Sequence, residues 1–225
     1  ALTHFWAGVL ADEGINTHVF ASGNMIYRYV PKEWLSQLEP NIHLRELIVR
    51  KLDIIQREFV VRGYLAGSLW KKHYSKGLDP YGLNLPPGLV KMTRFDVPLL
   101  TPTEKSDTDP PLLLADVERE FPEACALALK FFGVMEGVLG QDGVAVIDTK
   151  CEISRDNILA DEFGTGDSSR FTLKSNIKLG EDPPWLDKQV FRDEIESVYG
   201  DGEVSPHTFN VRTISNGWDS MHEGF

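Results

Sequence analysis

The sequence is short of several things at once. It has two cysteines, Cys125 and Cys151, among 225 residues. That is too few for a disulfide framework and fits a reducing compartment. No run approaches the ~20 apolar residues that cross a bilayer. The opening stretch, ALTHFWAGVLADEG, lacks the basic flank and apolar core of a secretory signal. The expectation is a cytoplasmic protein. Basic residues are outnumbered, 23 Lys and Arg against 34 Asp and Glu, for a net charge of -11. A nucleic-acid partner is therefore not expected, because binding phosphate chains calls for a basic face. Small anionic ligands stay open, since local clusters of Lys and Arg focus anions whatever the total charge. Familiar motifs are missing too. No GxxxxGK[ST], no GxGxxG after a strand, no HExxH, no CxxC and no GxSxG occurs, and the six His lack metal-ligand spacing. P-loop, Rossmann, zinc-hydrolase and serine-hydrolase chemistry all lose ground.

What remains is an ordinary globular composition, 42% hydrophobic and 25% charged, long enough for one large domain or two small lobes. The most informative stretch is GVAVIDTKCEISRDNILADEFGTGDSSR, residues 143–170. Two apolar runs, Val144–Ile147 and Ile158–Ala160, are each followed at once by charge. Strand alternation puts Asp148, Lys150 and Glu152 on one face. Antiparallel pairing across the 154–157 turn brings Glu152 close to Asp161. Two carboxylates on adjacent strands suit Mg²⁺ held together with phosphate oxygens. A salt-bridged edge hairpin explains the same pattern.

In chain order, 2–13 is predicted as an amphipathic helix ended by Gly14, with Leu2, Phe5, Trp6, Val9 and Leu10 at helical spacing. Residues 15–20 and 25–30 are predicted strands, 31–41 a short helix and loop, and 43–52 and 59–65 further strands. His18 is read as structural. Ser68 is a predicted N-cap, Gly77 a stop, and the intervening helix start offers N–H groups to an anion near Arg62. Residues 78–111, rich in Pro and Gly, are expected to be irregular, as a lid or binding loop is. Residues 112–140 carry the clearest apolar helical stripe, and Cys125 on it is read as packing. A further helix is predicted over 187–199, followed by a weakly patterned tail, 200–225, in which Trp218 and Phe225 are the docking candidates.

Four stretches, in this order, resemble the SAICAR synthetase (phosphoribosylaminoimidazole-succinocarboxamide synthase) family: EFVVRGYLAGSLWKKHY (58–74), LLTPTEKSDTD (99–109), VIDTKCEI (146–153), and DEFGTGDSSRF (161–171) with DKQVFRD (187–193). Order and spacing agree over about residues 44–195. The resemblance implies an α+β, two-lobed fold with a kinase- or ATP-grasp-like cleft, an antiparallel sheet packed with helices. Residues 1–53 would be the remainder of an N-terminal ATP-binding lobe and hinge, and 54–225 the catalytic lobe. The sequence departs from the family at Gly166, where the family has Pro, and at Thr108, where it has His. The family's Gly-Lys-rich phosphate loop and the Asp-Arg-hydroxyl motif after it have no match. Residue 1 is therefore expected near the end of that lobe, with half of the ATP cleft absent.

The implied reaction joins L-aspartate to the carboxylate of carboxyaminoimidazole ribonucleotide (CAIR). ATP first activates that carboxylate as an acyl phosphate. By the same resemblance, Lys150, Arg62 and Asp148 are candidates for catalysis. Arg62, Ser68, Ser168, Ser169, Arg170, Lys188, Arg192, Lys105 and Asp109 are candidates for substrate binding. Arg50, Lys51, Leu52 and Asp53 resemble the hinge at adenine, and Glu152 and Asp161 would hold Mg²⁺ on the ATP phosphates. Partners are these small molecules, not nucleic acid or membrane, with a homodimer left open. A nucleotide-binding but inactive relative, or a phosphotransferase with another acceptor, are the alternatives.

Overall fold

The computed structural model describes residues 2–190. Helix α1 (Leu2–Asp12) buries Trp6 and Leu10, one turn apart on a single face. Gly14 follows it with φ +68°, so the predicted stop stands. The Trp6 indole N–H donates to the carbonyl of Gly164 at 2.7 Å, tying the helix to a loop far along the chain. Strand β1 (Val19–Ser22) leads into a 3₁₀ turn, Gly23–Arg28, and the short helix α2 (Lys32–Leu35). Strand β2 (Leu47–Val49) pairs antiparallel with β1 as a two-stranded sheet. The strand predicted over 25–30 is thus a 3₁₀ turn. Its alternation is decorative: only Ile26 is buried, while Met25 and Tyr29 face solvent. The strand predicted over 43–52 shrinks to the three residues of β2, after a 3₁₀ turn at Ile42–Leu44.

The main sheet starts with β3 (Arg57–Tyr64). After it come a π-type turn, Leu69–His73, and a 3₁₀ turn, Tyr74–Lys76, closed by Gly77 in the left-handed region. Strand β4 (Arg94–Leu100) lies inside the segment expected to be irregular, and β5 (Thr103–Glu104) follows. The composition misled because Pro98 sits within β4. As an edge strand β4 has one open side, where a missing N–H costs no ladder bond. Helices α3 (Leu114–Glu120) and α4 (Pro122–Gln141) fill the predicted helical region. Strands β6 (Val144–Ile153), β7 (Leu159–Ala160) and β8 (Ser169–Leu173) complete the sheet. The order is β4-β3-β6-β7, with β5 added to β3 and β8 to β6, all antiparallel.

Alternation sorts the two faces of β3, and of β6 on either side of an irregularity between Val146 and Asp148 that changes the parity. Phe59, Val61, Val146, Cys151 and Ile153 share one buried cluster with Ala128, Phe131, Phe132 and Met135 of α4. Each such large side chain contributes about 1.5–3 kcal/mol of burial. Both cysteines belong to this core, and burial pushes the Cys125 thiol up to about 11 and that of Cys151 higher still, so neither is a nucleophile. The opposite face of the same strands carries Glu58, Arg62, Asp148 and Lys150. Isolated bridges, Thr17 to Leu159 and Ile54 to Ser154, connect the β1–β2 region to the main sheet. The helix predicted over 187–199 begins at Gln189. Its remainder, with Arg192, and the tail with Trp218 and Phe225 lie outside the described residues.

Candidate active site

Three adjacent strands set three charges abreast. The register pairs Arg62 of β3 with Asp148 of β6, and Asp148 with Arg170 of β8. Arg62 Nη1 donates to Asp148 Oδ2 at 2.8 Å, and Arg170 Nε donates to Oδ1 at 2.9 Å while its Nη2 reaches Oδ2. Arg62 is also fixed by Thr101 Oγ1 at 2.7 Å and Ser68 Oγ at 3.0 Å. Ser68 therefore spends its hydroxyl on Arg62 and makes no side-chain cap to its helix, against the sequence expectation. Burial lowers the Arg62 pKa, opposed by the Asp148 charge. For Arg170 burial also disfavours the charge, but Asp148 more than offsets it and the pKa is raised. One carboxylate between two guanidiniums leaves a net positive charge at the floor of the cleft. Arg170 further lies 5.6 Å from the Trp185 ring centroid. Gly67, at φ +53°, makes room for it: a Cβ there would collide with the Arg170 guanidinium.

These residues line a cleft of about 460 Å³, together with Lys150, Lys188, Ser168, Ser169 and Asp109. Lys150 Nζ donates to Glu58 Oε1 at 3.0 Å. Burial lowers the Lys150 pKa, but the hydrogen bond and charge of Glu58 outweigh it, and the net shift is upward. Ser169 Oγ is 2.7 Å from Thr149 Oγ1, and Ser168 Oγ donates to the Glu162 carbonyl at 2.9 Å. Both hydroxyls thus brace the loop as well as facing the cleft. Lys188 is 3.7 Å from Asp167. Asp187 stands beside it, fully buried, accepting from Phe171 N at 2.7 Å and Gln189 N at 2.8 Å. Burial pushes Asp187 up to about 6, against the pull of those two N–H groups and Arg170.

The other predicted residues gather elsewhere. Arg50, Leu52, Glu152, Asp161 and His18 line a second concavity of about 270 Å³. The register sets Glu152 opposite Ala160, the residue before Asp161, as the hairpin reading expected. Glu152 is ion-paired with Lys105, which reaches in from the segment after β5. Among the described residues no group of three acidic, His or Cys side chains could hold a metal alone. Two carboxylates still fit a Mg²⁺ ion whose other ligands are phosphate oxygens and water. Asp53 is exposed and ion-paired with Arg155 at 3.4 Å, and neither it nor Lys51 lines either concavity.

Sequence reasoning missed Glu58 and Trp185, which line the cleft, and Thr101 and Asp187, which are buried behind it. The signal for Glu58 was available, since Glu58, Val60 and Arg62 alternate on β3 as Asp148, Lys150 and Glu152 do on β6. Thr101 holds Arg62 from behind, Trp185 lies by Arg170, and Asp187 holds the Phe171 backbone, all through tertiary contacts that no periodicity encodes.

An antiparallel sheet with a helical back and a charged front, whose clustered Arg and Lys face a polar cleft, defines an α+β protein that offers fixed positive charge to that cleft. The family model described as SAICAR synthetase matches residues 1–207, and the chain belongs to that family. It is 35% identical over 176 residues to the phosphoribosylaminoimidazole-succinocarboxamide synthase of Cupriavidus taiwanensis, covering 73% of this chain and 58% of that protein. With the Saccharomyces cerevisiae synthase identity is 33% over 214 residues, covering 85% of this chain and 67% of that protein. The solved structure of the Saccharomyces cerevisiae SAICAR synthase, complexed with SAICAR, superposes with a TM-score of 0.80 at 28% identity, covering 99% of this chain and 77% of that one. The chain thus spans little more than half the length of the bacterial relatives it matches.

Proposed function

We propose that this chain carries the substrate floor of an ATP-dependent ligase that condenses L-aspartate with CAIR to give SAICAR, ADP and phosphate. The observation that supports it most is the convergence of Arg62, Asp148, Lys150 and Arg170 on one cleft, in a family whose relatives are named for that synthase. Every reactant is an anion. A floor with a fixed surplus of positive charge lowers the cost of bringing them together and of building charge at the reacting carboxylate.

Arg62 and Arg170 present flat, forked donors suited to phosphate or carboxylate. Asp148 holds both forks in orientation, and Ser68 fixes the outer nitrogen of Arg62. Lys150, half-exposed at the cleft edge, stands between the nucleotide side and the substrate side, as a group stabilising charge on the carboxylate under phosphorylation. Lys188, Asp109, Ser168 and Ser169 complete the wall, Lys188 as a further cation for substrate. Arg192 is assigned with them by sequence resemblance. Glu152 and Asp161 would hold Mg²⁺, which when bound neutralises the ATP phosphates. Residues 50–53 take the hinge role at adenine, and 1–53 and 54–225 divide as lobes. Use of ATP and Mg²⁺, and a cytosolic setting, belong to this reading.

The test is turnover by the full-length gene product with CAIR, ATP, Mg²⁺ and aspartate. ADP release that requires aspartate, with SAICAR formed, is expected. Release of ADP without aspartate dependence would point to a phosphotransferase, and nucleotide binding without turnover to an inactive relative. Lys150→Ala is expected to lower kcat steeply while the protein remains folded. A near-normal kcat would remove Lys150 from the chemistry.

A further inference from the structure

We propose that Glu58 is a positioning residue for Lys150: it draws the ammonium into the larger cleft and keeps it off the Glu152–Asp161 carboxylates. The proposal rests on the reading above, in which Lys150 serves the reacting carboxylate.

Three observations carry it. Glu58 is 8% exposed, and both oxygens are engaged in divided roles. Oε1 accepts from Lys150 Nζ at 3.0 Å, and Oε2 accepts from Thr103 Oγ1 at 3.0 Å. Thr103 is itself buried and is the register partner of Glu58 across β3 and β5. The carboxylate is therefore braced from behind by one strand and aimed at Lys150 by another. The short strand β5 supplies that brace and leads to Lys105.

The second observation concerns the alternative. Lys150 also feels the charges of Asp161 and Glu152. Glu152 is two residues along the same strand face, and it lines the other concavity with Asp161. Lysine has a flexible four-carbon stem, so its ammonium goes where the nearest fixed anion is. Without Glu58, Asp161 and Glu152 on the nucleotide side still attract it. Third, Lys105 already occupies Glu152, so the two lysines are sorted onto two glutamates, one per concavity. Glu58 needs no contact with substrate to matter under this geometry. It determines which of two sites receives a mobile cation.

The test is a double-mutant cycle on the full-length protein. Glu58→Gln keeps the shape and the Thr103 contact but removes the charge. It should lower kcat roughly 10–100-fold, as for a misplaced catalytic group, with KM for CAIR and aspartate little changed. Glu58→Asp, which restores the charge on a shorter stem, should recover part of the loss. Combined with Lys150→Ala, Glu58→Gln should cost nothing further, because a residue acting through Lys150 has no effect once Lys150 is gone. Additive losses would overturn the proposal, as would a KM rise with kcat unchanged. If Lys150→Ala alone leaves kcat intact, the functional reading of Lys150 has failed instead. In an inactive protein the proposal is read from the Lys150 ammonium resonance by NMR. That signal should move on Glu58→Gln and no more than slightly on Lys105→Met; an unmoved signal refutes it. Should Glu58→Gln fail to fold, Thr103→Val, which removes only the brace, should give a smaller kcat loss that again vanishes in the Lys150→Ala background.

Discussion

Replacing Asp148 with Asn removes the negative charge between Arg62 and Arg170 while keeping the side chain's size. In the wild type Asp148 is 6% exposed and accepts from both guanidiniums. Hydrogen bonds to charged groups contribute about 1.5–3 kcal/mol each. The Asn side chain keeps one acceptor oxygen, and its amide would face an arginine N–H. Two buried cations would then lie side by side with no intervening anion, and breaking a buried pair in this way costs about 3–5 kcal/mol. Urea denaturation should show a loss of that size, and thermal unfolding a fall of roughly 6–20 °C for a chain of this length. An internal control is at hand. Asp116→Asn breaks the pair with Arg119, whose side chains are 56% and 76% exposed, and should cost under about 0.5 kcal/mol. If Asp148→Asn cost no more than Asp116→Asn, the cleft floor would not be the coupled triad described above. Binding of CAIR by calorimetry should weaken alongside, since both forks lose their orienting partner.

Other expectations follow from packing and charge. Gly63→Ala would set a methyl 2.9 Å from Phe132 Cζ and 3.2 Å from the Val146 carbonyl; with Phe132 fully buried, overpacking should cost about 1–3 kcal/mol by denaturant titration. Asp187 has a pKa of about 6 in the fold against an ordinary 3.8, so the folded state holds its proton more tightly. Its contribution to stability should therefore fall by about 3 kcal/mol as pH rises from about 4 through 6, and Asp187→Asn should flatten that slope in stability measured across this range. Lys105→Met, which takes a partly exposed lysine from a buried glutamate, should cost about 1–3 kcal/mol and tighten Mg²⁺–ADP binding severalfold by freeing Glu152. Weaker binding in calorimetry would instead make Lys105 a phosphate contact.

The sequence by itself determined the elements whose pattern and setting agree. The stripe of α4 was legible because one face of it is more buried than the other, and a face is what periodicity records; the β6–β7 hairpin, buried on both faces, was legible from two apolar runs separated by a turn. Strand alternation set Asp148 and Lys150 together, and it would have found Glu58 on β3. Patterns failed where burial did not follow them, as in the 3₁₀ turn at Gly23–Arg28, and where composition hid an edge strand, as in β4 with Pro98. Tertiary structure alone decided which charges meet. The register of three strands joins Arg62, Asp148 and Arg170 across 108 positions of chain, and strand pairing sends Glu152 with Asp161 to a different concavity from Lys150. Those partnerships depend on hydrogen-bond register between distant strands. A one-residue slip would turn every one of these side chains to the other face, which alternation forbids, but alternation does not say which residue of one strand meets which of another.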